Sequence, residues 1–144
     1  MNYGSQTKVL AVLLSIAWPV AAATPEISWD ALANVKASIK GEQRILDLDP
    51  GTAALNGKPA TLSGYITPIN LGTGTTVTSF LLTGTPGTCP FCFGYGPENF
   101  VLVSAAEPVP IDITVDLKLV GRFEVVLDDP TGFYYRLRDA RLTK

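Results

Sequence analysis

Ile113-Thr114-Val115-Asp116-Leu117-Lys118-Leu119-Val120-Gly121-Arg122-Phe123-Glu124-Val125-Val126-Leu127 is the stretch that decides the fold. Every odd position is apolar or glycine, and the even positions are mostly polar: Thr114, Asp116, Lys118, Arg122 and Glu124, with Val120 and Val126 the exceptions. Alternation of this kind belongs to a strand with one face in a core. The run is far longer than the usual strand of about five or six residues, and a strand that long must coil. Gly121 marks the expected bend, where one strand serves two sides of a closed sheet.

Outward from this run, the same period recurs. Asp128-Asp129-Pro130-Thr131-Gly132 is a turn. Phe133 to Leu142 returns as a strand with Phe133, Tyr135 and Leu137 facing in and Arg136 and Arg138 facing out. On the N-terminal side, Phe100 to Ala105 is apolar but for Ser104, as in a strand covered on both faces. Val77 to Thr83 puts Phe80 and Leu82 on one face. Ala60 to Ile69 does the same with Leu62, Gly64 and Ile66, and Gly64 suggests a bulge or barrel bend. Asn56-Gly57 is a hairpin signal, and Arg44 to Leu48 is a short alternating segment. Ser28 to Lys40 predicts one helix: Ser28 is a cap, Leu32, Val35 and Ile39 form a stripe, and Gly41 is the stop. Trp29 widens that stripe; burial is the commoner fate of such a residue, a ligand platform the sharper one. Five main strands, one bent at a glycine, predict a mainly β domain: a small OB-type Greek-key barrel with one N-terminal α-helix. An open β-sandwich is the runner-up. The expected bounds are helix 28–40 and barrel from about 44 to 142.

Composition limits the chemistry. The chain has 144 residues, 47% hydrophobic, with a formal charge of −2 and no histidine. The length suits one domain, and the charge supplies no basic field for nucleic acid. Without histidine there is no Ser-His-Asp triad, no Cys-His dyad and no imidazole-ligated zinc. Lys8, the apolar run Val9 to Val20 and the small residues Ala21-Ala22-Ala23 read as a signal peptide over 1–23. The apolar run is too short to span a bilayer. Cleavage near Ala23 would release residues 24–144 to the periplasm or medium with no transmembrane segment left, and loss of Lys8 makes the charge one unit more negative.

Cys89-Pro90-Phe91-Cys92 is the one constellation with chemistry. Pro90 suits the second position of a β-turn, which brings the two Cα atoms within about 7 Å, inside disulfide range. Three readings stand. One is a structural disulfide that stiffens a long Gly/Pro-rich loop, worth about 2 kcal/mol or less for so short a ring. Another is a redox pair, although Gly94, Gly96 and Pro97 leave no helix to lower a thiol pKa. The third is a soft-metal site with Cys89 and Cys92 as ligands: copper accepts two sulfurs, whereas zinc needs further ligands such as Glu98. Phe91, Phe93 and Tyr95 crowd the same loop, as core anchors or as a partner-contact patch. Elsewhere, Arg136, Arg138, Arg141 and Lys144 beside Phe133, Tyr134 and Tyr135 resemble a nucleic-acid face, but a solvated barrel face explains them. Asp128-Asp129 reads as a turn rather than a catalytic pair, and Asp47 with Asp49 lacks a calcium loop.

The chain resembles an exported bacterial family known as a domain of unknown function, number thirty-two ninety-nine in that series. The resemblance runs through Ile27-Ser28-Trp29-Asp30-Ala31-Leu32, Leu62-Ser63-Gly64-Tyr65-Ile66-Thr67-Pro68 and Phe80-Leu81-Leu82. It continues through Cys92-Phe93-Gly94, Pro97-Glu98-Asn99, Val115 to Gly121 and Tyr135-Arg136-Leu137-Arg138-Asp139-Ala140. It implies an OB-type barrel in the bacterial envelope, with no established enzymatic activity. It further implies a role beside an ABC transporter, in transport or metal homeostasis. Other members can carry a Cys-x-His or Cys-Cys pair in the loop; this chain carries Cys-Pro-Phe-Cys and no histidine. The function expected is a non-catalytic binding or adaptor module whose partner is an envelope protein complex or transporter component. The alternative is a thiol-redox or soft-metal protein using Cys89 and Cys92.

Overall fold

The computed structural model describes residues 23–69, 74–87 and 94–143. In chain order it forms α1 (Trp29–Ala33), β1 (Val35–Lys40), β2 (Gln43–Leu48), α2 (Pro50–Ala54), β3 (Pro59–Pro68) and β4 (Thr76–Thr83). A 3-10 turn at Pro97–Asn99 follows, then β5 (Phe100–Pro110), β6 (Asp116–Val125) and β7 (Tyr135–Leu142). Five strands close into a barrel in the order β3-β4-β5-β7-β6, with β6 returning to β3. All barrel neighbours are antiparallel except β5 and β7, which run parallel. This is the mainly β Greek-key barrel of OB type that the alternation predicts; closure leaves no open sandwich edge.

The long run behaves as its glycine foretells. β6 pairs with β3 over Asp116 to Arg122 and with β7 over Leu119 to Val125, so one coiled strand closes the barrel on two sides. Its register on β7 slips between Val120 and Arg122. Across the slip Asp139 takes φ 52°, the one positive-φ non-glycine residue among those described. A Cβ on Gly121 would sit 2.7 Å from the Arg138 carbonyl oxygen, so only glycine lets the two strands approach at this corner. The strand is shorter than the alternation: Ile113 and Val115 precede it, Leu127 follows it, and all three are exposed.

Leu62, Ile66, Phe80, Leu82, Val101, Val103, Leu119, Phe123, Tyr135 and Leu137 fill the barrel, each at most 1% exposed. Burial of a side chain of this size stabilises by about 1.5–3 kcal/mol. Tyr135 carries a polar tip into this core, and its hydroxyl donates to the Leu32 carbonyl at 2.8 Å. That bond ties α1 to β7 and satisfies both groups. β4 meets only the second half of β3. Beside the first half, the segment before α1 takes up the free edge: Thr61 N–H donates to the Pro25 carbonyl and Ile27 N–H to the Thr61 carbonyl.

Three expectations are corrected. The helix expected over 28–40 ends at Ala33, and residues 35–40 form β1. Val35, Ala37 and Ile39 alternate with Lys36, Ser38 and Lys40, so a period of two fits this stretch as well as a helical one. Gly41, at φ 65°, is the first residue of a two-residue hairpin turn and not a helix stop. The barrel therefore starts at Pro59, not near 44, because β2 pairs with β1 in a separate two-stranded sheet. Asn56-Gly57 is a turn but joins α2 to β3 and no hairpin; Gly57 has φ 77°, and the Asn56 side chain accepts from Val125 N–H.

Candidate functional site

The connection from β4 to β5, residues 84–99, holds the sequence-predicted site. Thr83 and Phe100 face each other across the ladder, so the whole excursion leaves and re-enters the barrel at one point. Thr83 is buried, and its hydroxyl reaches the carbonyls of Tyr65 and Thr85 at 3.3 and 2.9 Å, pinning the departing stem. The returning stem is the 3-10 turn: Asn99 donates to the Gly96 carbonyl from its backbone at 3.1 Å and from its side-chain amide at 3.3 Å. Gly87 and Gly94 have φ of 72° and 101° on either side of the tip.

Trp29 lies across this root. Its helix starts at Ser28, whose hydroxyl accepts from Ala31 N–H at 3.2 Å. The indole Nε1 donates to the Ser63 carbonyl at 2.7 Å. Two glycines make room for the ring. A Cβ on Gly84 would stand 2.7 Å from indole Cγ, and one on Gly64 would stand 2.5 Å from the Thr83 carbonyl oxygen and 3.1 Å from the indole. Trp29, Gly84, Thr85, Tyr95 and Asn99 then line a cleft of about 150 Å³. Trp29 is half-buried and Tyr95 is 47% exposed, so the cleft has one aromatic wall from α1 and one from the returning stem. The sequence proposed core burial or a ligand platform for Trp29; the indole serves the packing with one part and the cleft with another. Asn99 and Gly84 carry no chemistry by type, and only their place beside Trp29 brings them in.

Of the residues singled out in the sequence, Tyr95 is in this cleft. Cys89, Phe91, Cys92 and Phe93 lie outside the described residues, as does the signal peptide up to residue 22. Glu98, the suggested zinc co-ligand, accepts from the Asn99 side chain at 3.3 Å. No group of three or more metal-ligating side chains forms among the described residues, and no described helix is long and apolar enough to cross a membrane.

Of the basic candidates near the C-terminus, Lys144 lies outside the described residues and the three arginines pair. Arg136 binds Asp129, Arg138 binds Glu124 and Arg141 binds Glu107. Asp129 has no side-chain exposure and also accepts from the Thr131 amide and hydroxyl. Burial pushes its carboxyl up, but the Thr131 and Arg136 bonds outweigh this and hold it below the usual carboxylate range. Asp49 is the N-cap of α2, its carboxylate accepting from the amides of Gly51 and Thr52. Tyr135 is pushed well above the usual phenol range, chiefly by burial, with the charge of Glu98 adding to it.

The family described as "Protein of unknown function (DUF3299)" matches residues 20–131. The solved structures include a DUF3299 family protein from Pseudomonas aeruginosa PAO1, 22% identical, with a TM-score of 0.60 over 85% of this chain and 97% of that one. At that identity the likeness shows a shared fold. No curated protein matches the chain.

Proposed function

This chain belongs to the DUF3299 family, and on that premise we propose that it is an exported, non-catalytic binding module that docks on an envelope protein complex through the loop between β4 and β5. The observation that carries this reading is the cleft at the loop root, where Trp29 and the exposed Tyr95 stand over a glycine floor. Amphipathic aromatic rings on a fixed frame supply contact area at little entropic cost, as expected of a recognition surface. In sequence the same connection carries Phe91 and Phe93, and export to an oxidising compartment favours oxidation of Cys89 and Cys92 to a disulfide. The partner is a transporter component, the role in transport or metal homeostasis that the resemblance to this family implies. The segment 1–23 is the export signal, removed near Ala23, so the protein recovered from the periplasm begins at Thr24.

The test is site-directed photo-crosslinking in the native host from position 95, followed by identification of the captured protein. An envelope transporter component captured at 95 and lost in Trp29→Ala supports the reading; capture independent of Trp29 overturns it. The cysteines are tested on the purified protein. A reduction potential below about −300 mV with no bound metal fits a structural bridge. A readily exchanged disulfide, or stoichiometric copper or zinc, moves the assignment to the thiol-redox or soft-metal alternative.

A further inference from the structure

The β1–β2 sheet stands outside the barrel. β2 leans on it through alternate residues: Arg44, Leu46 and Leu48 are half-buried. Arg44 donates to the Gly132 carbonyl at 3.2 Å and lies 5.5 Å over the Tyr134 ring. β1 lies on the far side of β2 and is exposed at every residue from Lys36 to Lys40, Ile39 at 80%. No strand lies along its outer edge among the described residues. In a two-residue hairpin the pair next to the turn, here Lys40 and Gln43, exchanges both hydrogen bonds, and every second pair does so after it. Lys36, Ser38 and Lys40 therefore bond to β2, while the N–H and C=O groups of Val35, Ala37 and Ile39 point to the open edge.

We propose that β1 is an acceptor edge for an extended acidic segment of a partner protein, which adds to the sheet as a third strand. The charge on the edge selects the occupant. Lys118, Arg122, Arg136, Arg138 and Arg141 each pair with a carboxylate, whereas Lys36 and Lys40 pair with none among the described residues, although Asp47 lies across the ladder from Lys36. The two lysines share one face of β1, and Ala37 and Ile39 share the other. A complementary strand alternates acidic residues, to meet the lysines, with apolar ones, to cover Ile39. A second copy of this chain is disfavoured in the register centred on Ser38, where antiparallel pairing sets Lys36 directly opposite Lys40 of the other copy and like charges repel. Edge lysines are a common guard against self-association; here they deter a basic or identical strand and leave an acidic one favoured. This surface is separate from the cleft at Trp29 and does not depend on its role.

The test uses the purified protein and two labelled synthetic peptides, one alternating glutamate with valine and one alternating lysine with valine. Fluorescence anisotropy at low salt reads binding, and amide hydrogen exchange reads its place. The glutamate peptide should bind saturably and slow exchange at Val35, Ala37 and Ile39. Lys36→Glu combined with Lys40→Glu should weaken it at least tenfold and bring in the lysine peptide. Ala37→Pro removes an outward donor without touching a bond to β2 and should abolish binding with the far-ultraviolet circular dichroism unchanged. Tyr95→Ala should leave binding intact. The assignment fails if the two peptides bind alike, if protection falls elsewhere, or if the charge-reversed protein binds as before. Capture by phosphatidylglycerol vesicles with no binding of the glutamate peptide would also overturn it, in favour of a lipid surface.

Discussion

At Gly121 a single missing side chain decides whether two strands can meet. Alanine there places a methyl 2.7 Å from the Arg138 carbonyl oxygen and 3.0 Å from Leu137 Cγ, and the first of these is backbone that cannot swing aside. Gly121→Ala should lower stability by about 1–3 kcal/mol, measured by denaturant unfolding, as overpacking does elsewhere. Asp129 gives a prediction in pH. In the unfolded chain its carboxyl titrates near 4, and in the fold its pKa lies lower. Its contribution is therefore complete above about pH 4 and is lost as the pH falls through the folded value. Asp129→Asn should cost about 2 kcal/mol at neutral pH, because Arg136 keeps a partly buried guanidinium with Nε already unpartnered. The variant should lose less than the native protein between pH 5 and pH 2, which unfolding midpoints across that range will show.

Among the elements, the hairpin β1–β2 is the one whose stability should stand apart. It shares no ladder with the barrel, and most of its half-buried residues, Arg44, Leu46 and Leu48, lie on β2. Gly41→Ala meets no atom within 4 Å, so its cost is the strain of φ 65° alone, about 1 kcal/mol. Hydrogen exchange should quicken at residues 35–48 and stay unchanged at Leu62, Leu119 and Leu137. The same hairpin shows where the sequence was ambiguous. Leu32, Val35 and Ile39 satisfy a helical stripe, Val35, Ala37 and Ile39 satisfy a strand, and Gly41 ends either one. What separates them is pairing with Gln43–Leu48, a contact between segments that local spacing does not reveal. The barrel strands were legible because each must present one face to a shared core, and that imprints a period of two. Gly121 was legible as a bend for the same reason; at Gly64 the ladder to β6 runs on without a shift, and neither glycine announced the group it admits, the Trp29 ring at Gly64 and the Arg138 backbone at Gly121. Tyr95 could be named from its aromatic neighbours, but Gly84 and Asn99 enter the cleft only through the fold.

Across the whole molecule, closure is the cooperative event. Leu62 pairs with Leu119 on one side of β6, and Leu119 with Leu142 on the other, so opening either seam exposes one core. Native-state exchange should therefore return a common opening free energy for the amides of β3, β6 and β7, equal to that of global unfolding. A spread of distinct values across those three strands would show that the barrel opens piecemeal. Folding should take milliseconds to seconds, because its decisive pairings join residues far apart in the chain, and stopped-flow refolding will read this. The frame so formed makes few demands on what it carries. The excursion 84–99 springs from the facing residues Thr83 and Phe100, both almost wholly enclosed. A chimaera that grafts another member's tip between those two anchors should mature on this scaffold, so the family can diversify its specificity by exchanging one cassette while the mount stays the same.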